Sequence, residues 1–455
     1  MSPMAGMQLD LLGNRLSQTP LTQQMGRVTQ VIGNVVEAEL PVAPVGAAAS
    51  IGDVPAEVIG FKERRVLLMP LDRLSGIRHG DRVTLHPVAL SVPVGPGLIG
   101  RVIDPLGRVM DGHPLTDCPE RRPLENDAPT PLQRQRIQHP METGIRAIDG
   151  LLSLGQGQRV AIMAGSGVGK STLLGMFARF TRADVNVVAL VGERGREVRE
   201  FIERDLGEEG MARSVVVVST SDSSPVLQIK CVEAALTISE YFRDQGKRVL
   251  FMADSLTRAA MARRQIGLAA GEPPTTKGYT PSVFTMMPTL LERAGPGERG
   301  SITAVCTVLV EGDDLSDPVA DTVRGIVDGH IVLSRELASH GHYPPIDVLA
   351  SLSRTMPWTV SPDQMKAAST MRDLLATWRE NEEIIRLGAY RRGSDAKVDV
   401  AMALKSKLDG FLRQDMSERA VFDETIAKMQ AFAGEATVKP GRGTNRPRSG
   451  SRPSA

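Results

Sequence analysis

The sequence predicts an α/β protein in three parts: a small N-terminal β-barrel, a central domain with a parallel sheet, and a C-terminal helical domain. A glycine-rich loop at residues 164–172 lies between an apolar run and a helical stretch. Strand-like and helix-like stretches alternate from there to about residue 254, and this order requires parallel strands with crossover helices. Short β-branched runs between glycines come before this region, and helical periodicity follows residue 356.

Composition and charge limit the classes of function. With 455 residues the chain is long enough for about three domains. Its 54 basic and 53 acidic residues leave a net charge of +1, so no overall bias toward nucleic acid or an anionic membrane is expected. The three cysteines are far apart and odd in number, which favours buried thiols in a reducing compartment. Neither a signal peptide nor a run of about 20 apolar residues is found, and we expect a soluble protein that is not exported.

The chain divides into five segments. They are a polar N-terminal lead, the barrel, the central domain, the helical domain and a basic tail, at 1–24, 25–95, 96–355, 356–432 and 433–455. The lead has a weak helical pattern, so it is either a helix that binds a partner or a frayed end. Within a connector at 96–140, the proline-rich stretch from Asp117 to Pro140 is too stiff and polar to join a core. The tail is expected to be disordered because proline, glycine, serine and basic residues dominate it.

The chain is organised around the loop Ala164-Gly165-Ser166-Gly167-Val168-Gly169-Lys170-Ser171-Thr172. Its glycines let the backbone turn successive N–H groups toward an anion, and the next helix presents its positive N-terminus to the same charge. Lys170 is expected to reach the β- and γ-phosphates of a nucleotide, and the Ser171 hydroxyl to bind Mg²⁺. Ala164 stands where the usual pattern has glycine, but that position closes the turn without contacting phosphate. We therefore predict a phosphate-binding loop, or P-loop, rather than a glycine-rich turn with a chance lysine.

Two carboxylates follow apolar strands at the same edge of the predicted sheet. Asp254 ends the run from Lys247, about eighty residues after the loop, where a carboxylate can hold Mg²⁺ through a water opposite Ser171. The alternative is that Asp254 caps the next helix. Glu193 comes just past the run from Val187, where a carboxylate can orient or deprotonate an attacking water, although a surface turn would look similar.

Several further motifs occur in order along the chain and together resemble the type III secretion ATPases. These are the export ATPases of the flagellum and of the injectisome, relatives of the catalytic subunit of rotary ATP synthases. The resemblance runs from about residue 26 to 430. The motifs that carry it are Gly192 to Val198, Asp254 to Arg258, Gly271 to Tyr279, Glu311 to Asp314, Asp328 to Ile331 and His342 to Asp347.

The resemblance implies a RecA-like P-loop domain that uses ATP and Mg²⁺ in a site shared between subunits. It implies that Glu193 is the catalytic glutamate, that Arg194 and Arg258 lie beside the phosphates, and that Tyr343 packs on adenine. Arg354 matches the arginine finger that one subunit inserts into its neighbour's site. Such a finger is worth ~10³–10⁵ in rate because it meets the charge that grows on the γ-phosphoryl oxygens.

The resemblance also implies partners and a place of work. Family members form a homohexamer ring and use ATP to detach chaperones from export substrates and to help unfold those substrates. The expected partners are a stator-like regulator bound by the N-terminal segment, components of the export gate and central stalk, and chaperone–substrate complexes, without nucleic acid. We expect a cytoplasmic protein associated peripherally with the inner face of the cytoplasmic membrane.

Other functions compete with export. The flanks and the stretch Leu387 to Ser394 favour a flagellar over an injectisome ATPase. A rotary ATP synthase subunit would carry long insertions that are not seen, and a non-hydrolysing subunit would lack Glu193. A hexameric RNA-translocating helicase would need basic loops and aromatic platforms, which residues 255–300 lack apart from Arg263 and Arg264.

Overall fold

The computed structural model describes residues 24–437 except 42, 311, 313 and 315. Its first part is a closed antiparallel barrel with the strand order β1-β2-β5-β4-β3-β6, in which β6 pairs with β1. Buried Val28, Val36, Ala38, Val58 and Leu68 fill it. The strands are β1 (Met25–Ile32), β2 (Val35–Glu39), β3 (Ala48–Ile51), β4 (Val54–Lys62), β5 (Arg65–Pro70) and β6 (Arg82–Leu85).

The connector takes part in the fold more than the sequence suggests. The strands in it and at its two ends are β7 (Ser91–Val94), β8 (Val102–Ile103), β9 (Glu120–Pro123) and β10 (Pro140–Met141). β7 pairs with β9 instead of joining the barrel, and β8 becomes an edge strand of the large sheet. Leu124 is fully buried, so the prediction that this stretch stays out of the core was wrong. The pairing of β9 with β7, the burial of Leu124 and the hydrogen bond from Arg293 to the Leu124 carbonyl hold it there.

The central domain is built on a nine-stranded sheet. The order is β19-β18-β12-β17-β15-β13-β14-β8, with β16 beside β17. The strands not yet named are β11 (Leu154–Gly155), β12 (Arg159–Ala164), β13 (Val185–Glu193), β14 (Ser214–Thr220), β15 (Arg248–Asp254), β16 (Gly295–Pro296), β17 (Ser301–Leu309), β18 (Gly329–Leu333) and β19 (Ile346–Ser353). The predicted parallel sheet is confirmed, except that β19 runs antiparallel to β18 and β16 antiparallel to β17.

Helices cover both faces of this sheet. They are α1 (Arg146–Leu151), α2 (Lys170–Phe180), α3 (Gly195–Glu200), α4 (Gly207–Met211), α5 (Pro225–Asp244), α6 (Leu256–Ala270), α7 (Pro281–Glu292), α8 (Pro318–Ile326) and α9 (Arg335–Ser339). A π-helical segment, Phe201–Leu206, joins α3 to α4. Successive residues of β13 point to opposite faces, so Val187 packs under α5 while Val188 packs under α2. The sheet therefore has a core on each side.

The helical domain follows β19 and packs on the α2 face of the sheet. It consists of α10 (Met356–Thr359), α11 (Pro362–Arg386), α12 (Ala396–Leu412) and α13 (Phe422–Thr437). Residues 433–437 are helical, which corrects the expectation that the disordered tail begins at 433. The predictions for residues 1–23 and 438–455 lie outside the described residues. Along the part of the chain that the structure describes, no helix is both long and apolar enough to cross a membrane.

Candidate active site

The glycine-rich loop lies at the carboxyl edge of the sheet, between β12 and α2. Gly167 and Gly169 have φ values of 76° and 96°, in the left-handed region that glycine adopts without strain. Val168 between them is buried in the core, which anchors the loop from below. Ala164 is fully buried at the end of β12, so an alanine is accommodated there. The other loop residues, Gly165 to Thr172 without Val168, line a cavity of about 450 Å³.

Lys170 reaches from the first turn of α2 toward two carboxylates. Its Nζ lies 2.6 Å from Asp254 Oδ1 and 3.9 Å from Glu193 Oε1. Asp254 is buried at the end of β15, and the Thr307 hydroxyl donates to its Oδ1 at 2.8 Å. The predicted phosphate-binding lysine and the two predicted carboxylates thus meet in one cluster.

A bulge at the end of β13 places Glu193. The register with β14 shifts between Val191 and Glu193, and Gly192 has a φ of 63°. A Cβ on Gly192 would lie 3.0 Å from the Arg258 Cδ, so glycine lets that arginine lie against the strand. Arg258 donates from Nε to Glu193 Oε1 at 3.2 Å. Glu193 is only 7% exposed, which argues against the surface turn that the sequence left open.

The protonated form of Glu193 is more stable in this site than it would be in water. Burial raises its pKa to about 7, together with a hydrogen bond to Glu197 and the negative charge of Asp254. Lys170 and Arg258 oppose this rise by favouring the carboxylate. The pKa of Glu197 is lowered, chiefly because its carboxylate accepts the hydrogen bond from Glu193. Glu193 is therefore poised to exchange a proton near neutral pH.

Arg194 occupies a different position from Arg258. Its side chain is 77% exposed at the cavity mouth and pairs with Glu197 at 3.0 Å. Arg258 instead lies inside, on Glu193. The two arginines predicted to lie beside the phosphates thus both line the cavity, one at its mouth and one near its floor.

The residues present fit a magnesium ion. The Ser171 hydroxyl and the Asp254 carboxylate line the same cavity, and both offer the oxygen ligands that Mg²⁺ prefers. Among the described residues no group of three His, Cys, Asp or Glu could hold a metal by itself. Mg²⁺ is commonly held by one or two carboxylates together with substrate phosphates, so an all-protein cage is not needed for it to bind here.

Tyr343 lies at a second cavity, of about 550 Å³, on the other side of the loop. Its ring is close to the start of α2, since a Cβ on Gly169 would be 3.8 Å from Tyr343 Cε1. The ring is half exposed, and the Tyr343 carbonyl accepts the Gln414 N–H at 2.9 Å. Residues 413–416 and Glu418 of the helical domain form the opposite wall. An aromatic face beside the phosphate loop is suited to a planar base.

Arg354 does not belong to this cluster. It follows β19, whose last residue Ser353 pairs with Gly329 at the beginning of β18. His330, the next residue, pairs with Ala161, so Arg354 lies at the amino edge of the sheet. The phosphate loop lies at the carboxyl edge, about 15–20 Å further along the strands. Arg354 therefore cannot reach the cavity of its own chain.

Three parts of the site were missed by sequence reasoning. Glu197 raises the pKa of Glu193 through a hydrogen bond, the Thr307 hydroxyl donates to Asp254, and residues 413–416 and Glu418 form a wall of the cavity beside Tyr343. The spacing of Glu197 four residues after Glu193 could have indicated a contact. Thr307 and the 413–418 segment had no such local signal, because tertiary packing alone brings them there.

The loop, the two strand-end carboxylates and the parallel sheet define a P-loop nucleoside triphosphatase with a barrel before it and a helical domain after it. The ATP synthase alpha/beta family models match its beta-barrel domain at residues 28–85 and its nucleotide-binding domain at 144–353. The model of the T3SS EscN ATPase C-terminal domain matches residues 360–431.

Relatives cover nearly the whole chain. The flagellum-specific ATP synthase of Bacillus subtilis is 50% identical over 426 residues, which are 92% of this chain and 97% of the relative. The type 3 secretion system ATPase of Xanthomonas euvesicatoria is 48% identical over 437 residues, 93% of this chain and 98% of the relative. The chain therefore belongs to the type III secretion and flagellar export ATPase family, which is related to the alpha and beta subunits of ATP synthase.

Solved structures agree with this assignment. The assembled ATPase EscN of the enteropathogenic E. coli type III secretion system is 44% identical, with a TM-score of 0.86 over 90% of this chain and all of that one. EscN in complex with its central stalk EscO is 43% identical, with a TM-score of 0.83 over 90% of this chain and 100% of that one.

Proposed function

We propose that this chain hydrolyses ATP with Mg²⁺ as a homohexameric ring, and that this drives export of flagellar proteins across the cytoplasmic membrane. Hydrolysis would release chaperones from export substrates and help unfold them. The proposal rests on the cavity chemistry, on the family, and on the assembled state of the EscN relative.

Each residue has a proposed role. The loop from Gly165 to Thr172 holds the phosphates, with Lys170 on the β- and γ-phosphates. Ser171 and Asp254 hold Mg²⁺, which when bound neutralises charge on the phosphates. Glu193 accepts a proton from the attacking water or orients that water, and Arg258 holds the Glu193 carboxylate in place.

The remaining roles concern the base and the transition state. Tyr343 packs on adenine at the second cavity. Arg194, at the mouth, and Arg354, from a neighbour, meet the charge that develops on the γ-phosphoryl oxygens.

One observation carries the shared-site proposal: Arg354 lies at the opposite edge of the sheet from Lys170 and Glu193. Its guanidinium forms no ion pair with any residue that the structure describes, and its one hydrogen bond there is a long 3.4 Å contact to the Arg324 carbonyl. An exposed cation that has no acidic partner among the described residues, on the edge that faces away from its own site, is available to a second copy. A complete site then needs two copies of the chain.

Mixed rings test this proposal. Arg354→Ala should lose about 10³-fold or more in hydrolysis while still binding nucleotide, and Glu193→Gln should do the same. In rings formed from equal amounts of both variants, about a quarter of the interfaces join an intact Glu193 to an intact Arg354. Activity should therefore return to about that fraction of the wild-type rate.

Two results would contradict the shared site. One is wild-type hydrolysis by Arg354→Ala. The other is a mixture that stays as inactive as its components although the two variants, carrying different affinity tags, copurify in the same rings. A matched control is Arg386→Ala, which changes another exposed arginine, at the end of α11, and should leave hydrolysis unchanged.

Injectisome secretion is the alternative. Identities of 50% and 48% to a flagellar and an injectisome relative do not separate the two systems. The flagellar choice rests on the flanks and on Leu387 to Ser394, which the structure places in the exposed turn between α11 and α12. Rescue of swimming in a strain that lacks its flagellar export ATPase would support it. Rescue only of injectisome secretion, in a strain that lacks that ATPase, would overturn it.

We further propose a cytoplasmic enzyme that associates peripherally with the inner face of the membrane. Its partners would be a stator-like regulator, the export gate, chaperone–substrate complexes and a central stalk. The stalk has direct support from a relative, since EscN forms a complex with its central stalk EscO. Copurification of each partner with the full chain would test these contacts.

A further inference from the structure

Two apolar side chains flank Arg354 on the surface. Leu352, two residues before it on β19, is 43% exposed, and Trp358, four residues after it on α10, is 73% exposed. Exposed tryptophan is costly in water and is enriched in protein interfaces. The sequence has only two tryptophans, and Trp358 is one of them.

The segment that carries these side chains is firmly held. The Arg354 N–H donates to the Asp328 carbonyl at 2.9 Å. Thr355, Met356 and Thr359 are all buried, so one side of α10 is packed into the protein. Trp358 projects from the opposite side. Leu352, Arg354 and Trp358 thus form a surface on a rigid support, which we call the finger face.

We propose that the finger face docks on a second copy of this chain, and that Leu352 and Trp358 become buried as Arg354 enters the cavity of that copy. This inference rests on the proposed function, because the shared site supplies the occupant. It adds that apolar burial, and not the arginine alone, holds the two copies in register. Trp358 and Leu352 are positioning residues in this scheme.

Carboxylates at the cavity mouth offer partners for the Arg354 guanidinium of the finger face. The cavity mouth carries the carboxylates of Glu197 and Glu200, while Arg354 has no acidic partner on its own chain among the described residues. Arg194 and Arg204 line the cavity as well, while Val198 and Phe201 are buried in the core beneath it. An entering Arg354 therefore meets carboxylates that alternate with basic side chains, and this pattern limits the orientations in which it can pair.

Trp358 itself reports whether it is buried. The other tryptophan, Trp378, lies further along the chain, in α11. Its ring packs against Lys405, whose Nζ is 5.4 Å from the ring centroid. In the full-length Trp378→Phe variant, Trp358 is the sole tryptophan. We expect its emission to shift to shorter wavelength, and its quenching by acrylamide to fall several-fold, when sedimentation shows rings. The wild-type minus Trp358→Phe difference spectrum repeats the measurement without changing Trp378.

Substitutions of Trp358 test how much its burial contributes to ring formation. Trp358→Ala should raise the protein concentration that gives half-maximal ring formation by about tenfold or more, because buried interface tryptophans commonly dominate binding. Trp358→Phe should recover most of the loss. Leu387→Ala is the matched control: Leu387 is 76% exposed but lies just beyond the far end of the 25-residue α11, so ring formation should not change. Hydrolysis by Trp358→Ala should return to the wild-type rate at concentrations high enough for rings.

The outcomes separate the two proposals. Equal quenching of Trp358 in monomer and ring would overturn the docking inference, as would ring formation by Trp358→Ala at wild-type concentration. Restored activity in mixed Arg354→Ala and Glu193→Gln rings would still support the shared site. Conversely, full activity of Arg354→Ala would contradict the shared site, and Trp358 burial would then show a dimer contact without a catalytic arginine.

Discussion

The Lys170 ammonium lies 2.6 Å from Asp254 Oδ1, so the cation expected on the phosphates is paired with the carboxylate expected on Mg²⁺. Thr307 fixes Asp254 by donating to the same oxygen at 2.8 Å. When a nucleotide binds, Lys170 must therefore leave the Asp254 carboxylate and pair with a phosphate instead. Because Asp254 is the buried and fixed member, the lysine is the group that moves.

Asp254→Asn should uncouple Mg²⁺ from nucleotide binding. The amide removes the charge that attracts both Lys170 and the metal, so we expect hydrolysis to fall at least about a hundredfold. ATP affinity measured by calorimetry with and without Mg²⁺ should differ less than in the wild type. Asp184→Asn makes the same change at the opposite edge of the sheet, where Asp184 pairs with Arg248 at 2.8 Å, and should keep the normal Mg²⁺ effect. An unchanged Mg²⁺ effect in Asp254→Asn would show that this residue does not hold the ion.

The pKa of Glu193 predicts how activity depends on pH. The carboxylate is the form that accepts a proton, and burial raises its pKa to about 7. We expect kcat/KM for ATP to decline below pH 7, by up to about tenfold per pH unit, as the inactive protonated form accumulates. Stopped assays of phosphate release across pH 5.5 to 8.5 would measure this limb. A rate that is flat down to about pH 5 would contradict a raised pKa.

Glu197→Gln should move this acidic limb to lower pH. The hydrogen bond to Glu197 is the second cause of the raised pKa of Glu193, and glutamine can donate to the Glu193 carboxylate instead of accepting from its protonated form. The same pH series measures the shift. Glu200→Gln alters a neighbouring carboxylate that pairs with Arg196, and should leave the midpoint unchanged. Equal midpoints in the wild type and Glu197→Gln would remove Glu197 from this role.

Tyr343→Ala should weaken ATP binding more than it slows turnover. A base stacked on an aromatic ring gains about 1–3 kcal/mol, so we expect KM to rise about 5- to 150-fold with kcat nearly unchanged. Tyr343→Phe keeps the ring and should behave as the wild type. If Tyr343→Ala lowered kcat at unchanged KM, the second cavity would not be the base site.

Arg293→Ala tests how the connector is attached. Arg293 is buried, with its Nε 2.7 Å from Glu240 Oε1 and its Nη1 donating to the Leu124 carbonyl at 2.8 Å. Removing one partner of a buried ion pair leaves an uncompensated charge, so urea unfolding should show a loss of about 3–5 kcal/mol. Arg299→Ala, at an exposed position, should change stability by no more than about 0.5 kcal/mol. A loss that small in Arg293→Ala would indicate that the connector is held by other contacts.

The order of strand, loop and helix segments along the sequence determined the fold class and the centre of the site. A strand, a glycine-rich loop and a helix follow one another within 159–180, and parallel strands must end at one edge. Glu193 and Asp254 each end such a strand, so their meeting with Lys170 followed from topology alone. The barrel and the helical domain likewise showed in the spacing of apolar residues.

Only the tertiary structure decided what depends on pairing between distant segments. The direction of β19 puts Arg354 at the amino edge, and no local pattern states whether a strand runs parallel or antiparallel to its neighbour. Pairing between distant segments also buries Leu124 and brings Thr307 to Asp254. It likewise brings residues 413–416 and Glu418 to the cavity beside Tyr343. The sequence by itself predicted the charged groups that meet at the phosphate loop, whereas packing raised the pKa of Glu193 and placed Arg354 at the opposite edge of the sheet. The physical reason is that charge and periodicity are local properties of a chain, while burial and strand register arise only when distant parts of it meet.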